Sequence, residues 1–366
     1  MEKPSERLIS LDAMRGFTIA AMITVNFPGH GSYVFHPLQH THWNGLSFTD
    51  LIAPFFLFIV GVSIVFAYSR QLALHVPPRS LHRKIILRAV KIFAVGMFLN
   101  LLPDFDFSDL RYTGTLHRIA VVFLVCALLY LHTSWKQQAL LAGIILIGYW
   151  LALTLIPTPG FGGRVLLEPG QNLAAWVDQQ WLPGRMWQGT WDPEGILSTF
   201  PAIATGLTGM LAGRLFLEKI TPSEKANYLM SAGLFISALG YVWSLDFPVN
   251  ENLWTSSFVL ITSGFACMVL GATYFWVDIK GHQKGTHPGV VLGANAITIY
   301  VLADLLALIF YNLPIQGLPM NEWSVNALIS AGIAPKLASM LYALLFTALH
   351  FIPAYWMYRR KIFIKL

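Results

Sequence analysis

The stretch between residues 26 and 50 contains the side chains best suited to chemistry. It holds four of the chain's 11 histidines, at His30, His36, His40 and His42, has no lysine or arginine, and ends at Asp50. An imidazole with a pKa near its reference value of about 6.5 is the natural side chain for moving a proton at neutral pH. A carboxylate beside it can fix its tautomer and raise its basicity, as in catalytic triads.

Three interpretations of this loop compete. A zinc site on His40 and His42 would need a third ligand, and the spacing alone is weak, so we expect no metal. The histidines could also be interfacial residues that make local hydrogen bonds. Alternatively, one of them is a general base or an acyl carrier with an acid beside it. The composition of the loop does not separate the last two interpretations.

Polar groups inside apolar stretches are costly in a membrane and are therefore candidates for function. Asp12 and Arg15 are three residues apart and share a helix face, either as a helix-end ion pair or as an anion-binding arginine facing the cytoplasm. Arg118, Asn295 and Asp304 also lie within apolar runs. We expect Asp304 near the outer side, where it either bonds a neighbouring helix or serves His40 in catalysis.

Basic residues precede and enter the third apolar run. They are Arg79, Arg83, Lys84, Arg88 and Lys91. Helical spacing places Lys84, Arg88 and Lys91 on one face. These residues either control topology or form a phosphate clamp, since arginine binds phosphate bidentately.

The elements that position these side chains are membrane helices. The chain is 55% hydrophobic and 11% charged, whereas soluble domains carry roughly a quarter charged residues. We predict an all-α bundle of about ten transmembrane helices, forming one domain over 1–366 in the lipid bilayer. The predicted spans are 8–28, 50–69, 85–103, 114–132, 138–156, 195–217, 228–245, 255–277, 289–312 and 336–357.

The charges give the orientation. With the N-terminus in the cytoplasm, 17 lysines and arginines fall on the inside and 4 on the outside, and Arg15, Lys91 and Arg118 lie within spans. This asymmetry predicts both termini in the cytoplasm. Because the basic residues separate apolar runs, the net charge of +6 does not indicate nucleic-acid binding. The outer linker 157–194 carries four tryptophans, which either anchor it at the interface or contact a sugar.

Several motifs occur in a fixed order along the chain. They are 10–16 (SLDAMRG), 25–26 (VN), 40–45 (HTHWNG), 50–51 (DL), 54–61 (PFFLFIVG), 116–120 (LHRIA), 192–199 (DPEGILST), 253–257 (LWTSS) and 293–296 (GANA). In these motifs the chain resembles the heparan-α-glucosaminide N-acetyltransferase family, as a compact, bacterial-type member. The family's active histidine corresponds to His40, since the spacing to Trp43 matches; His42 stands where the family often has a small residue.

The resemblance implies transfer of an acetyl group from cytoplasmic acetyl-CoA to the amine of glucosamine or a terminal amino sugar outside the bacterial inner membrane. It implies catalytic roles for His40, Asn26, Asp50 and Asp304. The phosphates of acetyl-CoA would meet Arg15, Arg83, Arg88, Lys91 and Arg118. The sugar would meet Trp43, Asn44, Trp191 and Asn295. The family also suggests a homodimer, which a glycine face at Gly206, Gly209 and Gly213 would permit.

Two other functions compete with this one. An amino-sugar transporter would use His40 and Asp304 for proton coupling, and broken helices with an inverted repeat would support it. The sequence shows neither feature clearly. An O-acetyltransferase acting on an envelope polysaccharide would use the same base on a hydroxyl acceptor.

Overall fold

The computed structural model describes residues 8–102 and 105–364, and this part of the chain is mostly helical. Lys3, Arg7 and Lys365, which the topology prediction counts, lie outside it. The helices are α1 (Ile9–Asn26), α2 (Ile52–Ala73), α3 (Pro78–Leu101), α4 (Thr115–His132), α5 (Trp135–Leu155), α6 (Leu173–Trp181), α7 (Ile196–Leu215), α8 (Pro222–Trp243), α9 (Ser256–Thr273), α10 (His287–Ala294), α11 (Ala296–Phe310), α12 (Met320–Ser330) and α13 (Pro335–Arg359). Strands β1 (Pro314–Ile315) and β2 (Leu318–Pro319) form an antiparallel hairpin.

Helices occupy every predicted span, and the chain is a multi-pass membrane protein. Six helical segments of the described chain are long and apolar enough to cross a bilayer: Thr49–Ala73, Thr115–His132, Trp135–Leu155, Ile196–Leu215, Ser256–Ile279 and Pro335–Arg359. The pair α10 and α11 makes a seventh if it counts as one span. Helices α1, α3 and α8 would complete the predicted ten, so the count of ten stays a prediction.

The predicted ninth span is not one straight helix. It breaks at Asn295, where the axes of α10 and α11 differ by 81°. Asparagine competes with the helix by bonding to backbone groups, and here its side chain does so. Nδ2 donates to Ile362 O at 2.9 Å and Oδ1 accepts from Ile364 N at 2.9 Å.

The contacts within the chain define two compact units. Unit 1 comprises 42–46, 53–102 and 105–275, and unit 2 comprises 8–41, 47–52 and 276–364. In unit 1, helices α2 and α7 touch backbone to backbone, since a Cβ on Gly209 would collide with Phe58 O and one on Gly61 with Gly206 O. The glycine face is therefore covered by the chain's own helices, so it is not the surface that would permit the predicted homodimer.

In unit 2, helix α1 packs on α10 with equally close backbones at Gly16 and Gly289. Asp278 begins this arrangement by accepting from the first amides of α1, Ile9 N and Ser10 N, at 3.1 Å each. A carboxylate there satisfies free N–H groups and complements the positive end of the helix dipole. Helix α1 thus leads directly into the histidine-rich loop from a fixed starting point.

Candidate active site

His40 and Asp50 form a hydrogen-bonded pair in unit 2. The distance from His40 Nδ1 to Asp50 Oδ1 is 2.9 Å. The Asp50 side chain is fully buried, whereas 57% of the His40 side chain is exposed. One group is therefore fixed within the protein while the other faces the surroundings, which is the arrangement of a base and the acid that orients it.

The local chain fold holds the Asp50 carboxylate. Asp50 lies in a 3₁₀ turn, Thr49–Leu51, that leads into α2. Its second oxygen, Oδ2, accepts from Ser47 N at 2.8 Å and from Thr41 Oγ1 at 3.1 Å. An ionised carboxylate only accepts hydrogen bonds, so the Nδ1 of His40 carries the proton and donates it. In this tautomer the Nε2 atom holds the lone pair, and Nε2 is the basic atom of the ring.

Asn26 is the last residue of α1, and its side chain is exposed. Asp304 lies elsewhere in unit 2, partly buried on α11. Its hydrogen-bond partner is Tyr300, one turn earlier on the same helix. Of the two acids predicted to serve His40, the structure joins Asp50 to it and gives Asp304 a different partner.

Trp43 and Trp191, both predicted to bind the sugar, contact each other in unit 1. Their ring centroids are 5.2 Å apart at 81°, an edge-to-face pair. Trp43 Nε1 donates to Leu167 O at 3.0 Å, which fixes the ring. Asn44 is exposed, and its Oδ1 accepts from Asn250 Nδ2 at 3.1 Å. These residues form an ordered aromatic and polar patch next to His40 in sequence.

An ion network begins at Asp192, the residue that follows Trp191. Arg111 donates two hydrogen bonds of 2.7 and 2.8 Å to Asp192 and one of 2.6 Å to Glu194. Thr113 Oγ1 donates to Asp192 at 2.8 Å, and the Arg111 guanidinium lies 4.9 Å above the ring of Trp187. Arg111 was predicted only as one of the four basic residues of the outer loops; the two acids of the motif 192–195 (DPEG) were the sequence signal that a cationic partner was needed.

The charges of this network shift two pKa values. Burial alone would raise the pKa of the Asp192 carboxyl, but the hydrogen bonds and charge of Arg111 outweigh it and hold that pKa below its usual range. Burial raises the pKa of Asp178 to about 6, although its hydrogen bond from Ile196 N acts in the opposite direction. The pKa values of Asp178 and Asp192 are therefore shifted in opposite directions, because Arg111 is hydrogen-bonded to Asp192.

Replacing Arg111 by methionine should destabilise the protein strongly. It would leave the buried Asp192 carboxylate without its cation, a change that costs roughly 3–5 kcal/mol and lowers the melting temperature by about 10 °C. Thermal unfolding of the detergent-solubilised protein measures this. Arg185→Met is the matched control, since Arg185 and Asp109 form an exposed pair at 3.3 Å, and such pairs contribute little. Equal melting temperatures for the two variants would contradict the expectation.

The predicted phosphate-binding residues Arg83 and Arg118 lie far apart in the structure. Arg118 is buried near the start of α4, where it donates to Pro193 O and Ser198 Oγ and stacks on Trp254. Helices α3 and α4 run antiparallel, with His82 against His132 at one end and Gly96 against His117 at the other. Arg83 therefore lies about 20 Å from the level of Arg118, at 1.5 Å per residue.

Arg83, Arg88 and Lys91 are exposed residues of α3. The guanidinium of Arg88 lies 4.8 Å above the ring of Phe123. These three residues are the members of the predicted phosphate clamp that lie on α3, whereas Arg118 lies near Asp192 in unit 1.

Arg15 and Asn295 lie together at the beginning of α1. Arg15 donates to Asp12 at 3.2 Å, as predicted from their spacing, and to Gly293 O at 3.4 Å. Asn295 follows two residues later and is bonded to the C-terminal segment. Asn26 ends α1 about 20 Å away, so Asn295 lies at the opposite end of α1 from the histidine-rich loop.

Comparison with known proteins identifies the family. The family model described as "Heparan-alpha-glucosaminide N-acetyltransferase, catalytic" matches residues 7–242. The human heparan-alpha-glucosaminide N-acetyltransferase is 29% identical over 98% of this chain and 60% of its own length. The mouse protein of the same name is 27% identical over 99% of this chain and 61% of its own length. The chain spans about three fifths of these curated relatives, and it belongs to the heparan-alpha-glucosaminide N-acetyltransferase family.

Proposed function

We propose that this chain is a membrane acetyltransferase that uses cytoplasmic acetyl-CoA to acetylate the amine of glucosamine or a terminal amino sugar on the extracytoplasmic side of the membrane. The observation that carries the proposal is the His40–Asp50 pair, a base with an oriented Nε2 at the position of the family's active histidine. The relatives are named as acetyltransferases of a glucosaminide, which supports this acceptor class. The predicted charge asymmetry supports the bacterial inner membrane with both termini in the cytoplasm.

The proposed reaction begins with the acceptor. His40 Nε2 removes a proton from the sugar ammonium, and the neutral amine attacks the thioester carbonyl carbon of acetyl-CoA. The new C–N bond forms as the C–S bond breaks, and the released thiolate takes up a proton to give free CoA. Asp50 stabilises the imidazolium that His40 becomes. Asn26 is proposed to donate to the thioester oxygen as negative charge builds on it.

A second route gives His40 the acetyl group first. In that route Nε2 attacks the thioester carbon, CoA leaves, and the sugar amine then takes the acetyl group from the imidazole. Both routes use the same nitrogen and the same orienting carboxylate. Acetyl-CoA labelled in the acetyl group separates them, since label retained on the His40 peptide without sugar belongs only to the second route.

For the acceptor we propose Trp43, Asn44 and Trp191. Ring faces bind the apolar face of a sugar, and the fixed ring of Trp43 costs little entropy on binding. For the phosphates of acetyl-CoA we propose Arg83, Arg88 and Lys91. A homodimer is proposed on the family resemblance alone.

The defining experiment follows thiol release by the purified protein with acetyl-CoA and glucosamine. Glucosamine-dependent release of CoA supports the proposal. Release with N-acetylglucosamine, whose amine is blocked, would instead indicate acetylation of a hydroxyl. Absence of release with every acceptor, together with uptake of labelled glucosamine into liposomes, would replace the enzyme by the transporter.

The transporter hypothesis has one observation in its favour, the break between α10 and α11. Broken helices line the substrate sites of many transporters. Here, however, the polar atoms at the break have partners in the chain, since Gly293 O accepts from Arg15 and Asn295 bonds the C-terminal segment. The break is therefore stabilised by the protein itself, and acetyl transfer remains the better-supported function.

Arg88→Ala should raise the KM for acetyl-CoA about tenfold and leave the KM for glucosamine unchanged. A charge-assisted hydrogen bond to phosphate contributes on the order of 1.5–3 kcal/mol. Steady-state kinetics with each substrate varied in turn measures both constants. Arg164→Ala, an exposed arginine in the linker 157–194, is the control. If both KM values rise together, the substitution has damaged the fold rather than a phosphate site.

A further inference from the structure

The turn that follows α1 is bonded to side chains almost 300 residues later in the chain. Tyr311 Oη donates to Pro28 O at 2.8 Å, and Asn321 Nδ2 donates to Gly29 O at 3.0 Å. All of these groups belong to unit 2. Backbone carbonyls of a turn at the end of a membrane helix need such partners, because α1 has no further amides to offer them.

Ser339 bonds the same turn from α13. Its hydroxyl accepts from His30 N at 3.0 Å and donates to His30 O at 3.3 Å, and its own carbonyl accepts from Gly29 N at 3.3 Å. Ser339 is 1% exposed and Asn321 is 6% exposed. Water cannot easily replace these bonds, so they order the turn more strongly than exposed bonds would.

The fit around Gly29 is equally close. A Cβ on Gly29 would lie 2.5 Å from Cγ2 of Val325 and 2.8 Å from Cβ of Tyr342. The backbone of the turn therefore rests directly on α12 and α13. Any side chain at residue 29 would lift the turn from these helices.

The loop beyond the turn lies along α13. Tyr33, Val34, Phe35 and Leu38 line a cavity of about 10 Å³ together with Lys336, Ser339, Met340 and Ala343 of α13. The four α13 positions share one helix face, at spacings of three, four and seven. His40 follows Leu38 by two residues, so the segment that directly precedes His40 packs against α13.

We infer that Asn321 and Ser339 are positioning residues, which fix the loop on α12 and α13 so that His40 meets Asp50. The inference rests on the proposed function, because it assigns the loop to acetyl transfer. Both residues lie beyond the stretch 7–242 that the family model matches. His40 is thus held by two sets of contacts. The hydrogen bonds of Asn321 and Ser339, here called the turn clamp, order the loop before His40, and Asp50 accepts a hydrogen bond from its ring.

Two substitutions test the inference. Ser339→Ala and Asn321→Ala should each lower kcat about tenfold to a hundredfold, since small displacements of a catalytic group have effects of this size. The KM for acetyl-CoA should stay within about twofold of the original. Ser324→Ala is the matched control, because the Ser324 hydroxyl bonds only Met320 O within α12, and it should leave kcat unchanged.

Hydrogen exchange of the resting protein supplies a readout that does not depend on turnover. Both variants should speed exchange at Gly29 and His30 about tenfold, while the control should not. Unchanged exchange at Gly29 and His30 in both variants would show that Asn321 and Ser339 do not order the turn, whether or not the chain transfers acetyl groups. Faster exchange with an unchanged kcat overturns the positioning role. Failure of the proposed function is a separate result, recognised by absence of CoA release in the unmodified protein.

Discussion

His40→Ala should lower glucosamine-dependent acetyl transfer by about three orders of magnitude. A positioned general base contributes roughly 10²- to 10⁴-fold, and the alanine variant lacks both the base and the imidazole that is hydrogen-bonded to Asp50. The KM values for sugar and acetyl-CoA should change little, because the ring acts in the transition state rather than in ground-state binding. Thiol release at saturating concentrations of both substrates measures the effect.

His42→Ala is the matched control for this prediction. His42 lies two residues later and is exposed, so it tests whether any histidine of the loop suffices. Its activity should stay within about twofold of the original. If the His42 variant loses activity and the His40 variant keeps it, the assignment of the active histidine is wrong, whatever the family motif indicates.

Asp50→Asn should reduce kcat by a similar factor through the tautomer of His40. Asp50 Oδ1 accepts the Nδ1 proton, and Oδ2 accepts from Ser47 N and Thr41 Oγ1. An asparagine can keep its oxygen toward Ser47 and Thr41 only by turning its NH₂ toward His40. The ring would then accept at Nδ1 and carry its proton on Nε2, the nitrogen that must be basic. The corresponding change in the serine-protease triad lowers kcat about 10⁴-fold.

The control for this prediction is Asp304→Asn. The sequence offered Asp50 and Asp304 as alternative partners of His40, and the structure gives Asp304 the partner Tyr300 instead. We expect kcat of the Asp304 variant within about threefold of the original. A large loss of kcat in this variant, with an unchanged melting temperature, would show that Asp304 takes part in catalysis. A lower melting temperature for Asp50→Asn would show that its activity loss reflects unfolding.

Much of the fold follows from local properties of the sequence. Apolar runs of about 20 residues predict membrane helices, because a helix of that length spans the hydrocarbon layer. In lipid the backbone has no water to bond, so a helix supplies its hydrogen bonds internally. The helices found from α1 to α13 occupy all ten predicted runs. The additional helices α6 and α12 lie in linkers, where short length and mixed composition give a weak signal. The break at Asn295 was missed because one asparagine in an apolar run is not a strong helix breaker.

The candidate site was predictable to the extent that its residues are near in sequence. Asp12 and Arg15 are one helical turn apart, so their spacing predicted that they meet; His40 and Asp50 lie in one loop, which made Asp50 a candidate partner beside Asp304. Trp43 and Trp191 were each proposed separately, and the structure showed that they touch. Arg118 was predicted together with Arg83, Arg88 and Lys91, but it lies at the other end of the antiparallel pair α3 and α4.

By itself the sequence determined the class of protein, its apolar helices and the family, and the resemblance in its motifs predicted His40 as the catalytic histidine. These depend on composition, run length and short motifs, which are properties of neighbouring residues. The tertiary structure alone showed that Arg111 pairs with Asp192, that Asp50 rather than Asp304 is hydrogen-bonded to His40, and that Asn321 and Ser339 bond the turn before the histidine-rich loop. These contacts join residues from ten to about 300 positions apart. The packing of the helices decides which polar groups come together, because a buried polar group without a hydrogen-bond partner costs free energy.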